Sequence, residues 1–130
     1  MSTPFVIENH LNEGYVHATL TEHWNTQTDT APFGEAMVEV FDSADAPIWF
    51  IVDFTASKWS LTDAIFGANF ATRNGIQFLR HNNMRSFIAV GGSMLVNAAA
   101  KGLSSPIFGE VPVKIVKTMD EALDYITSHS

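Results

Sequence analysis

Nine residues that follow two apolar runs have the types that could bind a ligand. The run at 48–52 (IWFIV) ends at Asp53, which a polar loop follows, and the run at 87–90 (FIAV) gives way to G-G-S. The pattern predicts a helix after each loop, and a helix N-terminus offers unpaired N–H groups and a partial positive charge. The nine residues are Asp53, Thr55, Ser57, Lys58, Trp59, Ser60, Gly91, Gly92 and Ser93. They predict a site for a small anion, a polar headgroup or a partner, with Lys58 adding charge and Trp59 a flat apolar wall.

A structural interpretation of the same residues stays open. Ser60 and Ser93 would cap helices, the two glycines would permit a turn, and Trp59 would close the edge of the core. A lone G-G-S matches neither the phosphate-binding loop nor the dinucleotide fingerprint.

Catalytic and metal-binding patterns are missing from the sequence. Asp53 would act as a general base only if desolvation raised its pKa, and no acid, histidine or nucleophile lies at a recognisable spacing from it. Its carboxylate is more typical of an Asx-turn that shapes the following loop. His17 and His23 could share one side of a strand, but no metal-ligand motif surrounds them. We therefore expect no catalytic residue, no metal and no cofactor, and a protein that is not an enzyme.

Composition narrows the class of protein further. A chain of 130 residues fits a single domain, here 1–130. Its net charge of −7 and its scattered seven Lys and Arg argue against a nucleic-acid partner. The absence of cysteine excludes disulfides and thiolate zinc sites. No apolar stretch reaches the roughly 20 residues that span a bilayer, and no signal peptide is recognisable. We expect a cytoplasmic protein.

The elements that must position the nine residues are readable from periodicity. Segments 4–7 and 14–24 predict an antiparallel hairpin, in which Val16, Ala18 and Leu20 alternate with polar residues. Pro32 suits the first turn of the next helix. Segment 48–54 is apolar on both faces, as a central strand requires.

The second half of the chain continues the alternation of helices and strands. Ser60 begins an S-x-x-D capping box, and we favour one long helix over 60–82, although Asn74-Gly75 would be able to end it. A strand at 87–90, a helix after Ser93, a short strand (VKIVK) and a last helix follow. The order β-β-α-β-α-β-α-β-α predicts an α/β fold with a mixed, mostly parallel sheet, an N-terminal antiparallel hairpin and about four helices.

This order of motifs resembles a known family. The motifs that show the resemblance are the opening hairpin, the Asp-ended strand with its loop (IVDFTASKWSLTDA), the strand FIAVGGS, and the final T-x-x-E-A-L-x-Y-I helix. Together they resemble STAS domains, the fold of anti-sigma-factor antagonists, and the looser group of STAS-like or Sec14-like bacterial proteins. The resemblance implies non-enzymatic binding of a partner or small ligand. It carries over no phosphorylation site, because S-L-T-D-A stands where those regulators have D-S-S-G.

Apolar residues on more than one face of the 60–82 helix suggest a second surface. One face must pack on the sheet, and the other would meet a partner or an apolar ligand. We expect a regulatory or interaction module that acts by protein–protein contact, as a homodimer or with another protein, with Phe66 and Phe70 in the interface. The alternative is a carrier that binds a small apolar or anionic ligand at the carboxyl edge of the sheet.

Overall fold

The computed structural model describes residues 3–129 as alternating strands and helices. The strands are β1 (Phe5–His10), β2 (Tyr15–Leu20), β3 (Ile48–Asp53), β4 (Met84–Val90) and β5 (Val113–Val116). The helices are α1 (Thr26–Ser43), α2 (Leu61–Asn69), α3 (Met94–Gly102) and α4 (Met119–Ser128). Short 3₁₀ turns lie at Leu11–Glu13, Phe78–Arg80 and Pro106–Phe108.

The five strands form one sheet whose order follows the chain, β1-β2-β3-β4-β5. β1 and β2 are antiparallel, with Phe5 opposite Leu20, and every later pair is parallel. The predicted mixed α/β fold is confirmed. β3 and β4 lie side by side and run in the same direction, with Ile51 opposite Ile88.

The sequential order places three helices on one face of the sheet. Right-handed crossovers between adjacent parallel strands all return over the same face. Accordingly α1, α2 and α3 share a core with Val16, Phe50 and Phe87, whereas α4 packs on the opposite face against Trp49 and Ile51. The crossovers therefore do not diverge between β3 and β4, so the crevice that α/β sheets form at a reversal of strand order is missing at this point.

Helix α1 begins earlier than the sequence predicts. Its N-cap is Asn25, whose side chain accepts a hydrogen bond from the Gln27 N–H at 3.0 Å. The Asp29 carboxylate in turn accepts the Asn25 N–H at 2.8 Å. Because these polar groups satisfy the first turn, the helix starts at Thr26 and Pro32 lies inside it, not in its first turn.

Helix α2 ends much earlier than the predicted 60–82. After Asn69 the backbone widens into one π-helical turn, Phe70–Asn74, and then leaves the helix at Gly75. The Phe70 ring lies against Gly75 so closely that a Cβ there would overlap it. Phe78 and Leu79, which we assigned to the same helix, instead reach the core from a 3₁₀ turn.

Candidate functional site

The loops after β3 and β4 meet, as the sequence predicts. The Phe54 N–H donates to the Val90 carbonyl at 2.9 Å, which ties the two strand ends together. Gly91 has a φ of +66°, and a Cβ at this position would overlap the Thr55 hydroxyl. The nine predicted residues therefore lie along two adjoining loops at the carboxyl edge of the sheet.

Polar groups in the first loop hold the loop in shape. The Asp53 carboxylate accepts the Thr55 N–H at 2.9 Å, which is the Asx-turn described above. The Ser57 hydroxyl donates to the Phe54 carbonyl at 2.9 Å and accepts the indole N–H of Trp59 at 3.0 Å. Each of these side chains already has a partner within the loop.

The two serines act as helix caps. Ser60 accepts the Asp63 N–H at 3.1 Å, and the Asp63 carboxylate accepts the Ser60 N–H at 3.0 Å, completing the capping box. Ser93 accepts the Val96 N–H at 3.3 Å.

Gly92 and Lys58 complete the nine residues. A Cβ at Gly92 would lie 2.8 Å from the Val96 side chain. Lys58 is exposed and forms no ion pair with the other residues of the described segment. The structure thus brings the nine residues to one edge and uses most of their polar groups to build that edge.

A cavity of about 90 Å³ lies beneath α2, and sequence reasoning missed it. Small residues of α2 and its π turn form its roof, at the helical spacing i, i+3, i+4 and i+7: Ala64, Gly67, Ala68 and Ala71. The floor is the sheet, and α1 and α3 form the sides. The other lining residues are Leu20, Trp24, Thr30, Phe33, Phe50, Val52, Phe54, Trp59, Phe78, Leu79, Phe87, Val96, Ala99, Ala100 and Leu103. The one-sided run of small residues was the signal in the sequence.

Trp59 joins this cavity to the predicted edge. Of the nine predicted residues, Trp59 lines the cavity, and its side chain is partly exposed. Its ring stacks on Trp24 with centroids 6.1 Å apart and meets Phe54 edge-on at 5.6 Å. A Cβ on Gly67 would lie 3.1 Å from the Trp59 ring, so the ring packs directly on the backbone of α2.

The few polar atoms in the lining have partners. The Thr30 hydroxyl donates to the Thr26 carbonyl at 2.6 Å. The Trp24 indole N–H donates to the Thr26 hydroxyl at 2.8 Å. Because the Trp59 N–H is also bonded, an occupant of the cavity would meet mainly apolar surface and no free side-chain donor, and the Thr30 oxygen, which has only donated, could still accept a hydrogen bond.

The outer face of α2 carries large apolar residues. Leu61 is 62% exposed and Ile65 is 53% exposed. The predicted interface residues Phe66 and Phe70 are partly buried and stack on each other at 5.9 Å. Helix α2 therefore turns its small residues inward and its largest exposed side chains outward.

The histidines are held by local pairs. His17 lies 3.4 Å from the Glu8 carboxylate across the hairpin, and His23 lies 3.6 Å from Glu22. Within residues 3–129 no group of three or more His, Asp or Glu side chains could hold a metal ion. Burial, followed by the charges of Glu13 and Glu8, raises the pKa of the Tyr15 hydroxyl, so this hydroxyl keeps its proton at neutral pH.

Comparison of the chain with protein-family models, with curated proteins and with solved structures gives no match. The resemblance to STAS domains accordingly stays a prediction from the sequence. Among the described residues, the structure contains no helix of sufficient length and apolar character to cross a bilayer.

Proposed function

We propose that the protein is a non-enzymatic binding module that holds a small apolar molecule in the cavity beneath α2. The cavity itself carries this proposal: about 90 Å³ of space lies between α2 and the sheet, it is partly open to solvent, and its lining is almost entirely apolar. None of the lining side chains is an acid, a base or a histidine, so the site supports binding in preference to chemistry.

An apolar occupant would stabilise the folded state. A water molecule needs two to four polar partners to occupy a buried site, and the lining side chains offer no free donor and a single acceptor, the Thr30 oxygen. The atoms around an empty cavity lose dispersion contacts, and an apolar ligand would restore them. A route for the ligand would run past Trp59 and Phe54, the partly exposed aromatic residues at the carboxyl edge.

Thermal unfolding with xenon, benzene and cyclohexane as probes tests this function. We expect the melting temperature to rise with probe concentration, because a ligand that binds only the folded state stabilises it by RT ln(1 + [L]/Kd). Ala64→Leu, which places three more carbon atoms in the cavity, should remove the response. Ala98→Leu adds the same atoms at an exposed position of α3 and should retain it. No shift with any probe, or an equal shift in the Ala64→Leu variant, would contradict the proposal.

Self-association through the outer face of α2 is a second candidate function. The exposure of Leu61 and Ile65 favours it, since large apolar side chains grouped on one helix commonly mark a contact surface. The contact would join two copies of the chain, or this chain and another protein, in keeping with the STAS-like resemblance. Phe66 and Phe70 would lie at the border of such an interface.

Light scattering tests this second candidate with a matched pair of variants. Ile65→Lys should lower the association state of the wild-type protein while leaving the unfolding curve nearly unchanged. Val6→Lys changes an apolar residue of β1 that is 45% exposed, and it should leave association intact. A wild-type protein that is monomeric at high concentration would remove the self-association part of this candidate and leave the cavity proposal standing. The cytoplasmic location predicted from composition fits either function.

A further inference from the structure

We propose that the preferred ligand is an uncharged molecule built on a single aromatic ring. This inference rests on the proposed binding function and narrows it to one chemical class. Three properties of the cavity carry it: its size, its aromatic walls and its lack of free polar groups.

Size limits the ligand to about one ring. An apolar cavity of about 150 Å³ engineered into another protein binds benzene and xenon and stays free of water. The present cavity of about 90 Å³ is smaller and partly open to solvent, so a single ring would fill its inner part. Two fused rings or a long acyl chain would be enclosed only if α2 moved away from α1 and α3, the helices against which it packs; otherwise part of such a ligand would stay in contact with solvent.

Aromatic walls favour an aromatic ligand over a saturated one of similar size. Phe33 and Phe78 meet edge-on at 5.7 Å, and Phe54 meets Trp59 edge-on at 5.6 Å. All four rings belong to the lining, and they already pack edge to face with one another. An aromatic pair in such geometry is stabilised beyond its buried area by an amount that corresponds to about 2- to 10-fold in affinity.

The satisfied polar groups exclude charged and strongly polar ligands from the interior. The hydroxyl of Thr30 and the indole N–H groups of Trp24 and Trp59 are bonded within the protein. A ligand hydroxyl inside the cavity would exchange its several hydrogen bonds to water for at most one side-chain acceptor, the Thr30 oxygen, and we expect this loss to weaken binding by at least about fivefold. An ionised group would be excluded more strongly.

Calorimetric titration of the full chain with benzene, cyclohexane, phenol and naphthalene tests the inference. We expect benzene to bind about 2- to 10-fold more tightly than cyclohexane. Phenol should bind at least about fivefold more weakly than benzene. Naphthalene should bind more weakly than benzene. In Trp59→Leu the preference for benzene over cyclohexane should decrease. The control Tyr125→Leu changes a residue of α4 at the opposite face of the sheet, and it should leave this preference unchanged.

The outcomes separate this inference from the proposed function. Binding of none of the four probes would overturn both. If cyclohexane, phenol or naphthalene binds as tightly as benzene, the assignment of the ligand to uncharged molecules with one aromatic ring is wrong. The apolar binding site would still stand in that case. If Trp59→Leu does not fold, the order of the four affinities in the wild-type protein still tests the aromatic assignment.

Discussion

Filling the cavity by Ala64→Leu should stabilise the folded protein in the absence of any ligand. A residual enclosed cavity costs about 24 cal/mol per Å³, so about 90 Å³ of partly open space corresponds to at most about 2 kcal/mol. Ordering a leucine side chain costs about 0.5–1 kcal/mol of that gain. The free energy of unfolding should therefore rise by up to about 1–1.5 kcal/mol. For a domain of this size each kcal/mol raises the melting temperature by about 3–5 °C.

Urea unfolding followed by circular dichroism measures this gain. The midpoint should rise while the slope of free energy against urea stays the same, because the surface exposed on unfolding barely changes. Ala100→Leu, from the α3 side of the cavity, should act in the same direction. Ala98→Leu places the added atoms at an exposed position and should change stability by less than about 0.5 kcal/mol.

A lower stability of the two cavity variants would contradict this prediction. Overpacking a filled core costs about 1–3 kcal/mol. If Ala64→Leu and Ala100→Leu both lower the free energy of unfolding by about 1 kcal/mol or more, the space between α2 and the sheet is already occupied by protein atoms. The binding proposal would then lose its main support.

Three further predictions concern the loops and the hairpin. Gly91→Ala should destabilise the protein by about 2 kcal/mol or more in urea unfolding, because the φ of residue 91 is positive and an added Cβ would overlap the Thr55 hydroxyl. Adding Thr55→Ala should restore only the part of the stability that the overlap costs. Full restoration would show that the backbone at residue 91 is unstrained. Ser60→Ala should cost about 1 kcal/mol through loss of the α2 cap, and no loss would mean that α2 does not need it. The absorbance titration of Tyr15, obtained as wild type minus Tyr15→Phe, should have its midpoint above that of free tyrosine, since burial and Glu13 raise the pKa of Tyr15. The contribution of this pKa shift to stability should be present below the ordinary tyrosine pKa and should be lost as the pH rises through the pKa of the folded state. A midpoint below that of free tyrosine would contradict this prediction.

The strands were predictable because the order of apolar and polar residues along a strand reflects which of its two faces are buried. Ile51 and Phe50 point to opposite faces and both are fully buried, as the unbroken apolar run at 48–52 indicates. The alternation of Val16, Ala18 and Leu20 likewise marks one buried face of β2. These patterns also set the order of the elements and the edge at which the two loops meet.

The helix boundaries were harder to predict. At α1 a cap formed by Asn25 and Asp29 extends the helix ahead of Pro32, although the polar composition there is typical of a loop. At α2 the helix ends where the Phe70 ring closes over Gly75, which is a tertiary contact that sequence spacing does not encode. The sequence therefore predicts an α2 that is too long and an α1 that is too short at its N-terminus.

The cavity lay outside the reach of sequence reasoning for a different reason. The spacing of Ala64, Gly67, Ala68 and Ala71 shows that small residues share a face of α2, but not which surface that face meets. Leu61 and Ile65 have the helical spacing of an ordinary core stripe, yet both are exposed. Unfilled space depends on side chains from three helices and the sheet together, so it becomes visible only in the assembled fold.

The sequential order of the sheet has a consequence for synthesis on the ribosome. Each strand hydrogen-bonds to the strand made just before it, so no pairing waits for a segment encoded far downstream. The layer that contains α1, α2 and α3 can assemble as the chain emerges, N-terminal part first. Helix α4, which covers Trp49 and Ile51, comes last. Unfinished chains therefore expose apolar surface mainly on that second face, where a nascent chain is most exposed to aggregation or most in need of a chaperone.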